Sequence, residues 1–312
     1  MSELLTIDEA AVRGMLARAG ITAPVERLAR RASTVYEAHL GVHDPVIVKL
    51  YEPQAAWKQA KEIHVYSLLA GAGTGLAGRI PQVLGHERGT GPNGPACTVL
   101  TRLDGTPLHE LDPQLTPADR RRIYVQIGQL LRAVHRVPMG GFGYLVTDIL
   151  DPAPSNQAAL HRMFERKLCE FAELGGPADL ARAVRRAVAD HAPVLAMPVE
   201  PVLCHNDLHE GNVLVARAGN VWNVTGFVDV GNAVAADPVF DLAGTDYRAA
   251  RHHPVKRAGL LEGHGDLPAD VEARLRIYST YHALERWDRL AKTGEQRHLP
   301  GIAADLAELT GQ

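Results

Sequence analysis

The segment between residues 203 and 229 concentrates side chains that could hold a metal ion and move a proton. His205, Asp207 and Asn212 lie in one polar loop that apolar residues flank on both sides. A hairpin with its turn near Gly219 would return Asp229 to the same end of the strands. Two carboxylates and an amide are oxygen ligands of the kind that Mg²⁺ prefers, together with water and phosphate oxygens. The segment therefore points to phosphate chemistry, although Asp and Asn also cap loops and turns that carry no such site.

The spacing of these residues matches the catalytic loop of protein kinases. In that loop an Asp two residues after a His accepts the proton of the attacking hydroxyl, and an Asn five residues later holds metal with a downstream Asp. His205, Asp207 and Asn212 fit the spacing, and Asp229 lies where the downstream Asp belongs. A pattern this short arises by chance in roughly one such chain in fifty, so it needs support from elsewhere in the sequence.

Support comes from a lysine and a glutamate earlier in the chain. Lys49 ends a β-branched run at residues 46–48, as the strand lysine of kinases does, and Glu62 lies on the helix that follows. An ion pair between them would hold the ammonium ready for the phosphates of a nucleotide. The alternatives are an exposed edge-strand charge for Lys49 and an ordinary helix-surface salt bridge from Glu62 to Lys58 or Lys61.

With the lysine, the glutamate, the polar loop and the downstream aspartate in this order along the chain, the sequence resembles the aminoglycoside phosphotransferase and choline kinase superfamily. The resemblance spans roughly residues 20–290, and the residues that carry it are Val48-Lys49, Glu62, His205 to Leu214, Val228-Asp229, Asp237-Pro238 and Asp241-Leu242. It implies an α+β, protein-kinase-like bilobal fold. Residues 1–103 would form a nucleotide-binding lobe of antiparallel sheet with one main helix. Residues 104–312 would form a mostly helical lobe with the catalytic loop, the metal site and the substrate pocket.

The resemblance also implies roles for individual residues. Asp207 would be the catalytic base, and Asn212 and Asp229 would hold Mg²⁺. His205 and Asp241 would support the catalytic loop. The expected contacts of the nucleotide, ATP or GTP, are Lys49, Glu62, Ser33, Thr34, Leu100 and Leu103.

Two features depart from the family pattern. Most antibiotic phosphotransferases have Gly between the loop His and Asp, whereas this chain has Asn206, which looks more like choline kinase. The glycine-rich nucleotide loop is also absent, since Ser33 and Thr34 stand in a segment without glycine at its expected place. The missing glycines put the contacts of Ser33 and Thr34 with phosphate in question.

The expected reaction is transfer of the γ-phosphoryl group of ATP or GTP to a hydroxyl of a polar small molecule. The leading acceptor is an antibiotic such as an aminoglycoside, which would make the chain a resistance enzyme. The alternative is a metabolic kinase for choline, a sugar or an amino alcohol, and the remote alternative is a nucleotide-binding pseudokinase. Nucleotide preference, the hydroxyl that is modified and oligomeric state are left open.

The substrate pocket has the weakest signal in the sequence. Asp246, Tyr281, Glu285 and Trp287 mix acids with aromatics, which would suit a cationic sugar-like acceptor. The last three lie on a helical pattern that an amphipathic helix with a solvated face would explain equally well. The 11 Lys and Arg against 9 Asp and Glu in residues 1–103 become 22 against 27 in residues 104–312, which fits a cationic acceptor in the second lobe.

The helices and strands that position these residues are predicted from turn and capping residues and from the spacing of apolar residues. A peripheral first helix ends at Gly20, five short strands follow, and one helix lies between the third and fourth of them. From Thr116, which has the position of a helix cap, helical patterns dominate, interrupted by a β-rich segment at 202–229.

The composition of the chain limits the kinds of partner that it is expected to bind. The 312 residues carry a net charge of −3, which gives no cationic field for nucleic acid. Three cysteines without paired spacing, no signal-like start and no long apolar run indicate a cytoplasmic protein that does not bind membranes.

Overall fold

The computed structural model describes residues 9–312 apart from 19, 22–26, 33, 41–42, 72 and 90–94. Ser33 therefore lies outside the described residues. The chain begins with helix α1 (Glu9–Arg18) and a five-stranded antiparallel sheet in the order β1-β2-β3-β5-β4. Its strands are β1 (Arg27–Ala32), β2 (Val35–Leu40), β3 (His43–Tyr51), β4 (Val83–Glu87) and β5 (Ala96–Thr101), with helix α2 (Ala56–Gly71) between β3 and β4. The predicted five strands and single intervening helix are confirmed.

Every second residue in the second half of β3 is buried, and these residues form part of the core of this sheet. Val46, Val48 and Leu50 are buried on one face, and the β-branched residues among them favour the extended backbone. Met15 and Leu16 of α1 pack into the same cluster. Only one side of α1 packs on the sheet, since Arg13, Ala17 and Arg18 are exposed, as in a helix at the periphery of the fold.

Helices dominate the rest of the chain. They are α3 (Leu108–Leu111), α4 (Pro117–Val134), α5 (Asn156–Glu173), α6 (Ala178–Asp190), α7 (Ala192–Leu195), α8 (Pro238–Thr245), α9 (Pro254–His264), α10 (Val271–Lys292) and α11 (Leu299–Thr310). Thr116 caps α4 as expected, in a capping box with Asp119. A π-helical turn at Asp246–Ala250 continues α8. No described helix has both the length and the apolar composition needed to cross a membrane.

Two small sheets carry the β-rich segment. Strands β10 (Val213–Ala218) and β11 (Val221–Phe227) form the predicted hairpin, and β6 (Thr106–Pro107) pairs with β10. Strands β7 (Phe142–Leu145), β8 (Ile149–Ala153), β9 (Val202–Cys204) and β12 (Val234–Ala236) form the other sheet. The chain leaves the five-stranded sheet after β5 through Gly105, whose φ of +122° favours glycine. A Cβ there would lie 2.8 Å from Thr225 Oγ1, so this connection packs closely on the hairpin.

Candidate active site

Lys49, Glu62 and Asp229 form a hydrogen-bonded ion triad between the five-stranded sheet and the β10–β11 hairpin. Strand β3 presents Lys49 towards α2, where its Nζ lies 2.8 Å from Glu62 Oε1. The same Nζ lies 2.9 Å from Asp229 Oδ1, just beyond the end of β11. Glu62 is buried, so the ammonium is held by a fixed carboxylate on one side and by a more accessible one on the other.

Lys49 and Asp229 keep their charges in spite of burial. Burial opposes the charge of Lys49, but the carboxylates of Glu62 and Asp229 overcome it and raise the pKa of the ammonium. Burial would also raise the pKa of Asp229, but Lys49 holds it below its ordinary value. For Glu62 burial prevails and the pKa rises. Asp229 is therefore ionised at neutral pH, as a metal ligand must be.

Asp241 holds the start of the catalytic loop, residues 204–212, through its backbone. Its Oδ2 accepts the N–H of His205 at 2.6 Å, and its Oδ1 accepts the N–H of Asn206 at 2.8 Å. His135 Nε2 lies 3.2 Å from the same carboxylate. Burial would raise the pKa of Asp241, but the hydrogen bond and charge of His135 hold it below its ordinary value. A buried carboxylate with these partners fixes the position of the loop.

His205 connects the loop to the strand that leads to Asp229. Its Nδ1 accepts the N–H of Asp207 at 3.2 Å, so its Nε2 carries the proton and donates to the carbonyl of Val228 at 3.2 Å. These contacts satisfy both nitrogens of a neutral ring. The ring fixes Asp207 relative to the residue that precedes Asp229.

Asn206 and Asp229 both have a left-handed backbone, with φ of 61° and 65°. Glycine adopts this conformation freely, and Asn and Asp are the other residues that adopt it most readily. The departure from the glycine of antibiotic phosphotransferases thus has a physical basis, because Asn206 meets the same backbone demand. Its Nδ2 also donates to the carbonyl of Asn232 at 3.1 Å.

Two side chains hold the carboxylate of Asp207. Asn232 Nδ2 donates to Oδ2 at 2.9 Å, and Arg248 Nη1 lies 3.6 Å from Oδ1. Arg248 also donates to the carbonyl of Asn206 at 3.2 Å. The Asp207 side chain remains partly exposed, at 22%, and lines a large cavity. A positioned but accessible carboxylate of this kind can accept a proton from a bound hydroxyl.

The oxygens of Asn212 and Asp229 fit a hard divalent cation. Asn212 Nδ2 donates to the carbonyl of Asp207 at 2.9 Å, which orients the amide and leaves its Oδ1 as the end that can bind a cation. The N–H of Val228 donates to the carbonyl of Asn212 at 2.9 Å and keeps the hairpin end beside the loop. An amide oxygen and an ionised carboxylate, completed by water and phosphate oxygens, are the donor set that Mg²⁺ takes.

The expected nucleotide contacts fall in different environments. Leu100 is buried in β5, and Leu103 lies half-buried in the connection to the helical part. A second cavity of about 610 Å³ includes Leu103 and the hairpin residue Thr225. Thr34 lies in the turn between β1 and β2, where its carbonyl accepts the N–H of Leu50 at 2.8 Å.

The large cavity next to Asp207, of about 1280 Å³, is enclosed by the catalytic loop, the β7–β8 hairpin, α5 and α10. Tyr281 and Glu285 line it, as expected for a substrate site. Asp246 and Trp287 do not. Asp246 is buried beside Arg257, whose Nε lies 3.2 Å away, and Trp287 packs against Phe171. We therefore leave both out of the proposed substrate site.

A sequence model described as the phosphotransferase enzyme family matches residues 24–292. The chain belongs to this family. It is thus a phosphotransferase, and the expected enzyme class is confirmed. The chain matches no curated protein sequence.

Solved phosphotransferase structures share the fold over nearly the whole chain. The GDP complex of wild-type aminoglycoside 2′-phosphotransferase-IIIa is 14% identical, with a TM-score of 0.71 over 98% of this chain and 99% of that one. A thermostable mutant of aminoglycoside phosphotransferase APH(4)-Ia with ADP and hygromycin B is 14% identical, with a TM-score of 0.69 and coverage of 95% and 96%. A Thermobifida fusca protein described as a fructosamine-3-kinase is 18% identical, with a TM-score of 0.66 and coverage of 96% and 98%. The predicted kinase-like α+β fold is confirmed.

Sequence reasoning missed two residues that contact Asp207 in this phosphotransferase. Asn232 lies three residues after Asp229, and Arg248 lies in the π-helical turn after α8. Neither belongs to a motif with a fixed spacing from Asp207. Each reaches the carboxylate only through the path of the chain between β11 and α9.

Proposed function

We propose that the chain transfers the γ-phosphoryl group of ATP or GTP to a hydroxyl of a polar small molecule bound in the large cavity. Asp207 accepts the hydroxyl proton, Asn212 and Asp229 hold Mg²⁺, and Lys49 neutralises the nucleotide phosphates. This proposal combines the family, which is that of small-molecule phosphotransferases, with the arrangement of these four residues.

One observation supports this proposal most directly. A continuous path of hydrogen bonds and ion pairs runs from Glu62 through Lys49 to Asp229. A second path joins the adjacent backbone to Asn212, whose amide binds Asp207. Five residues chosen for their chemistry are thus linked to one another, and Asp207 among them lines the large cavity. Phosphoryl transfer depends on such positioning and on charge stabilisation more than on covalent chemistry.

We infer a task in the transfer for each side chain from these contacts. Asn232 and Arg248 hold the carboxylate of Asp207 towards the cavity, where an acceptor hydroxyl would donate to it. Lys49, steadied by Glu62, supplies a charge that can move from Asp229 to the phosphates of the nucleotide. Bound Mg²⁺ would stabilise the negative charge that the phosphoryl group carries during transfer.

The catalytic assignment is tested by the substitution Asp207→Asn. We expect turnover to fall by at least ~10²-fold, because the amide cannot accept the proton while its shape preserves the contacts of the loop. Coupled nucleotide turnover with a panel of hydroxyl compounds measures the effect, and thermal unfolding confirms that the variant folds. Asp190→Asn, an exposed change at the end of α6, should leave turnover unchanged. Near-normal turnover in the Asp207 variant would refute the assignment.

Two classes of acceptor are candidates. The first is a hydroxyl-bearing antibiotic such as an aminoglycoside, with resistance as the biological role. Hygromycin B is bound in one of the similar structures, which makes this class the natural first test. Growth of a sensitive host with and without the gene, across a panel of antibiotics, measures it, and protection against any of them would support this class.

The second class is a metabolic hydroxyl compound such as a sugar. The charges of the cavity favour it, because each carboxylate in the described lining of the cavity already lies next to a basic side chain of the protein. Absence of protection in the growth assay, together with turnover on sugars, would support this class.

A further inference from the structure

The large cavity has an uneven distribution of unpaired charge. Its described lining includes six Arg and Lys and five Asp and Glu. These nearly equal numbers conceal a difference in pairing, since a charge that already has a close partner offers little to a ligand.

The two acids on α10 are neutralised within the protein. Asp288 Oδ2 lies 3.0 Å from Lys167 Nζ. Glu285 Oε2 lies 3.1 Å from His282 Nδ1, and the Nε2 of the same ring lies 3.0 Å from the carbonyl of Phe240. Both ring nitrogens of His282 thus face oxygen atoms, so the ring lies between the Glu285 carboxylate and the main chain of α8. Burial would raise the pKa of Glu285, but His282 holds it below its ordinary value.

The other three acids of the cavity have partners as well. Glu210 Oε1 lies 2.8 Å from Lys256 Nζ and also accepts the hydroxyl of Tyr124 at 2.7 Å. Asp151 pairs with Arg162 at the exposed rim. Asp207, discussed above, lies beside Arg248. A polycationic ligand would therefore have to break existing ion pairs to find a carboxylate.

Three arginines of the cavity have no carboxylate of the described residues closer than 3.9 Å. Arg286 on α10 has no ion pair among the described residues, and its Nε is buried without a hydrogen-bond partner there. Among the described residues, the nearest carboxylates of Arg166 on α5 and Arg289 on α10 are those of Glu170 at 4.0 Å and Glu295 at 3.9 Å. Arg166 also has a side-chain hydrogen bond with Tyr281. The wall that α5 and α10 form thus has spare guanidinium groups.

We propose that the acceptor of the phosphoryl group carries an acid group, a carboxylate or a phosphate, which Arg166, Arg286 and Arg289 bind while its hydroxyl meets Asp207. Guanidinium groups form paired, charge-assisted hydrogen bonds with both kinds of anion. This inference rests on the proposed function, because it names the acceptor class of the same cavity. It distinguishes the chain from enzymes whose acceptors are polycationic.

Binding of matched acceptor pairs tests the inference without requiring transfer. D-gluconate and D-glucitol differ only in the acid group, as glycerol 3-phosphate and glycerol differ in the phosphate, and kanamycin supplies a polycation. With saturating MgADP, we expect each acid to raise the melting temperature of the full chain more than its neutral counterpart and more than kanamycin. Equal shifts within both pairs, or a larger shift with kanamycin, would overturn the inference.

Substitutions locate the effect on the α5–α10 wall. Arg166→Gln and Arg286→Gln should each weaken the acid-dependent binding about tenfold or more, as loss of a charge-assisted contact does, and Arg286→Lys should restore part of it. Arg166 is exposed, so its variant keeps the test valid if the Arg286 variant unfolds. Arg185→Gln on the exposed face of α6 is the control. Unchanged acid binding in the Arg166 variant and in every folded Arg286 variant would contradict the inference.

Transfer is measured separately on the same compounds. Suppose that the acids bind more tightly than their neutral counterparts and lose this advantage in the arginine variants, but that no compound is phosphorylated. That result would contradict the proposed function and would still support the anion site. Transfer that prefers neutral or cationic compounds would contradict the anion site and leave the proposed function standing.

Discussion

At the scale of single residues, Lys61 is a basic side chain in an unfavourable, buried environment. It is fully buried on α2, its Nζ has no hydrogen-bond partner among the described residues, and it lies 4.0 Å from the centre of the Tyr144 ring. Burial lowers its pKa to about 8. A cation–π contact compensates for only part of the lost hydration. The folded state is therefore less stable than it would be with an apolar side chain at this position.

Replacement of Lys61 by Met should stabilise the fold in a pH-dependent way. Below pH 8 the folded and unfolded chains both carry the charge, so its burial penalty is fully present. Between about pH 8 and 10.5 the folded chain releases the proton first, so the stability of the wild type rises. The stability advantage of Lys61→Met should thus shrink by on the order of 3 kcal/mol across this range.

Urea unfolding of both proteins at pH 7 and pH 10 measures this effect. Lys292→Met, on an exposed lysine, should differ from the wild type by a nearly constant amount over the same range. A constant difference for Lys61→Met as well would mean that burial does not lower the pKa of this amine, and it would contradict the prediction.

The spacing within one loop made Asp207 and Asn212 predictable, because residues five apart can be compared with a known pattern. Arg248 could not be found in this way. Its guanidinium reaches Asp207 from 41 positions away, and the π-helical turn that directs it leaves no mark in the sequence. The same limit applies to His282, whose partner Phe240 lies on another helix.

At the scale of elements, the catalytic loop depends on a left-handed residue between His205 and Asp207. Asn206 provides it, and Asp241 accepts the N–H groups of His205 and Asn206. The strands and the cap at Thr116 were predictable because their signals are local. The packing of Met15 was not, because it depends on a sheet that lies further along the chain.

Substitutions of Asn206 should separate backbone conformation from side-chain chemistry. Asn206→Gly keeps the left-handed φ and should retain most of the turnover. Asn206→Val should destabilise the fold by about 1–3 kcal/mol and reduce turnover, because a β-branched residue is strained there. Chemical unfolding and nucleotide turnover measure the two effects. Equal behaviour of the two variants would show that the loop does not need this conformation.

At the scale of the whole molecule, the first sheet and the helical part meet around Arg79. Its carbonyl accepts the N–H of Phe227 at 3.0 Å, and its guanidinium donates to the carbonyl of Val224 at 3.2 Å. A Cβ on Gly226 would lie 2.2 Å from the Arg79 carbonyl oxygen. This backbone contact sets the spacing between the part that carries Lys49 and the part that carries Asp229.

The change Gly226→Ala should therefore disturb the spacing of the two parts. We expect a loss of about 1–3 kcal/mol in stability, because backbone must move to make room. We also expect weaker nucleotide binding, since Lys49 and Asp229 would move apart. Gly140→Ala, where a Cβ meets no atom within 4 Å, is the matched control. Thermal unfolding and nucleotide titration measure the outcome, and similar behaviour of the two variants would contradict it.

The single ammonium that Lys49 shares between Glu62 and Asp229 has a thermodynamic consequence for ligand binding. A nucleotide phosphate that draws Lys49 away leaves Asp229 Oδ1 without its counterion, and a divalent cation restores the balance. Each ligand thus removes an obstacle to the other, and linkage requires that each raise the affinity of the other by the same factor. Under the proposed function, this ion pair would make the metal and the nucleotide cooperative partners, which would bind together more readily than either binds alone.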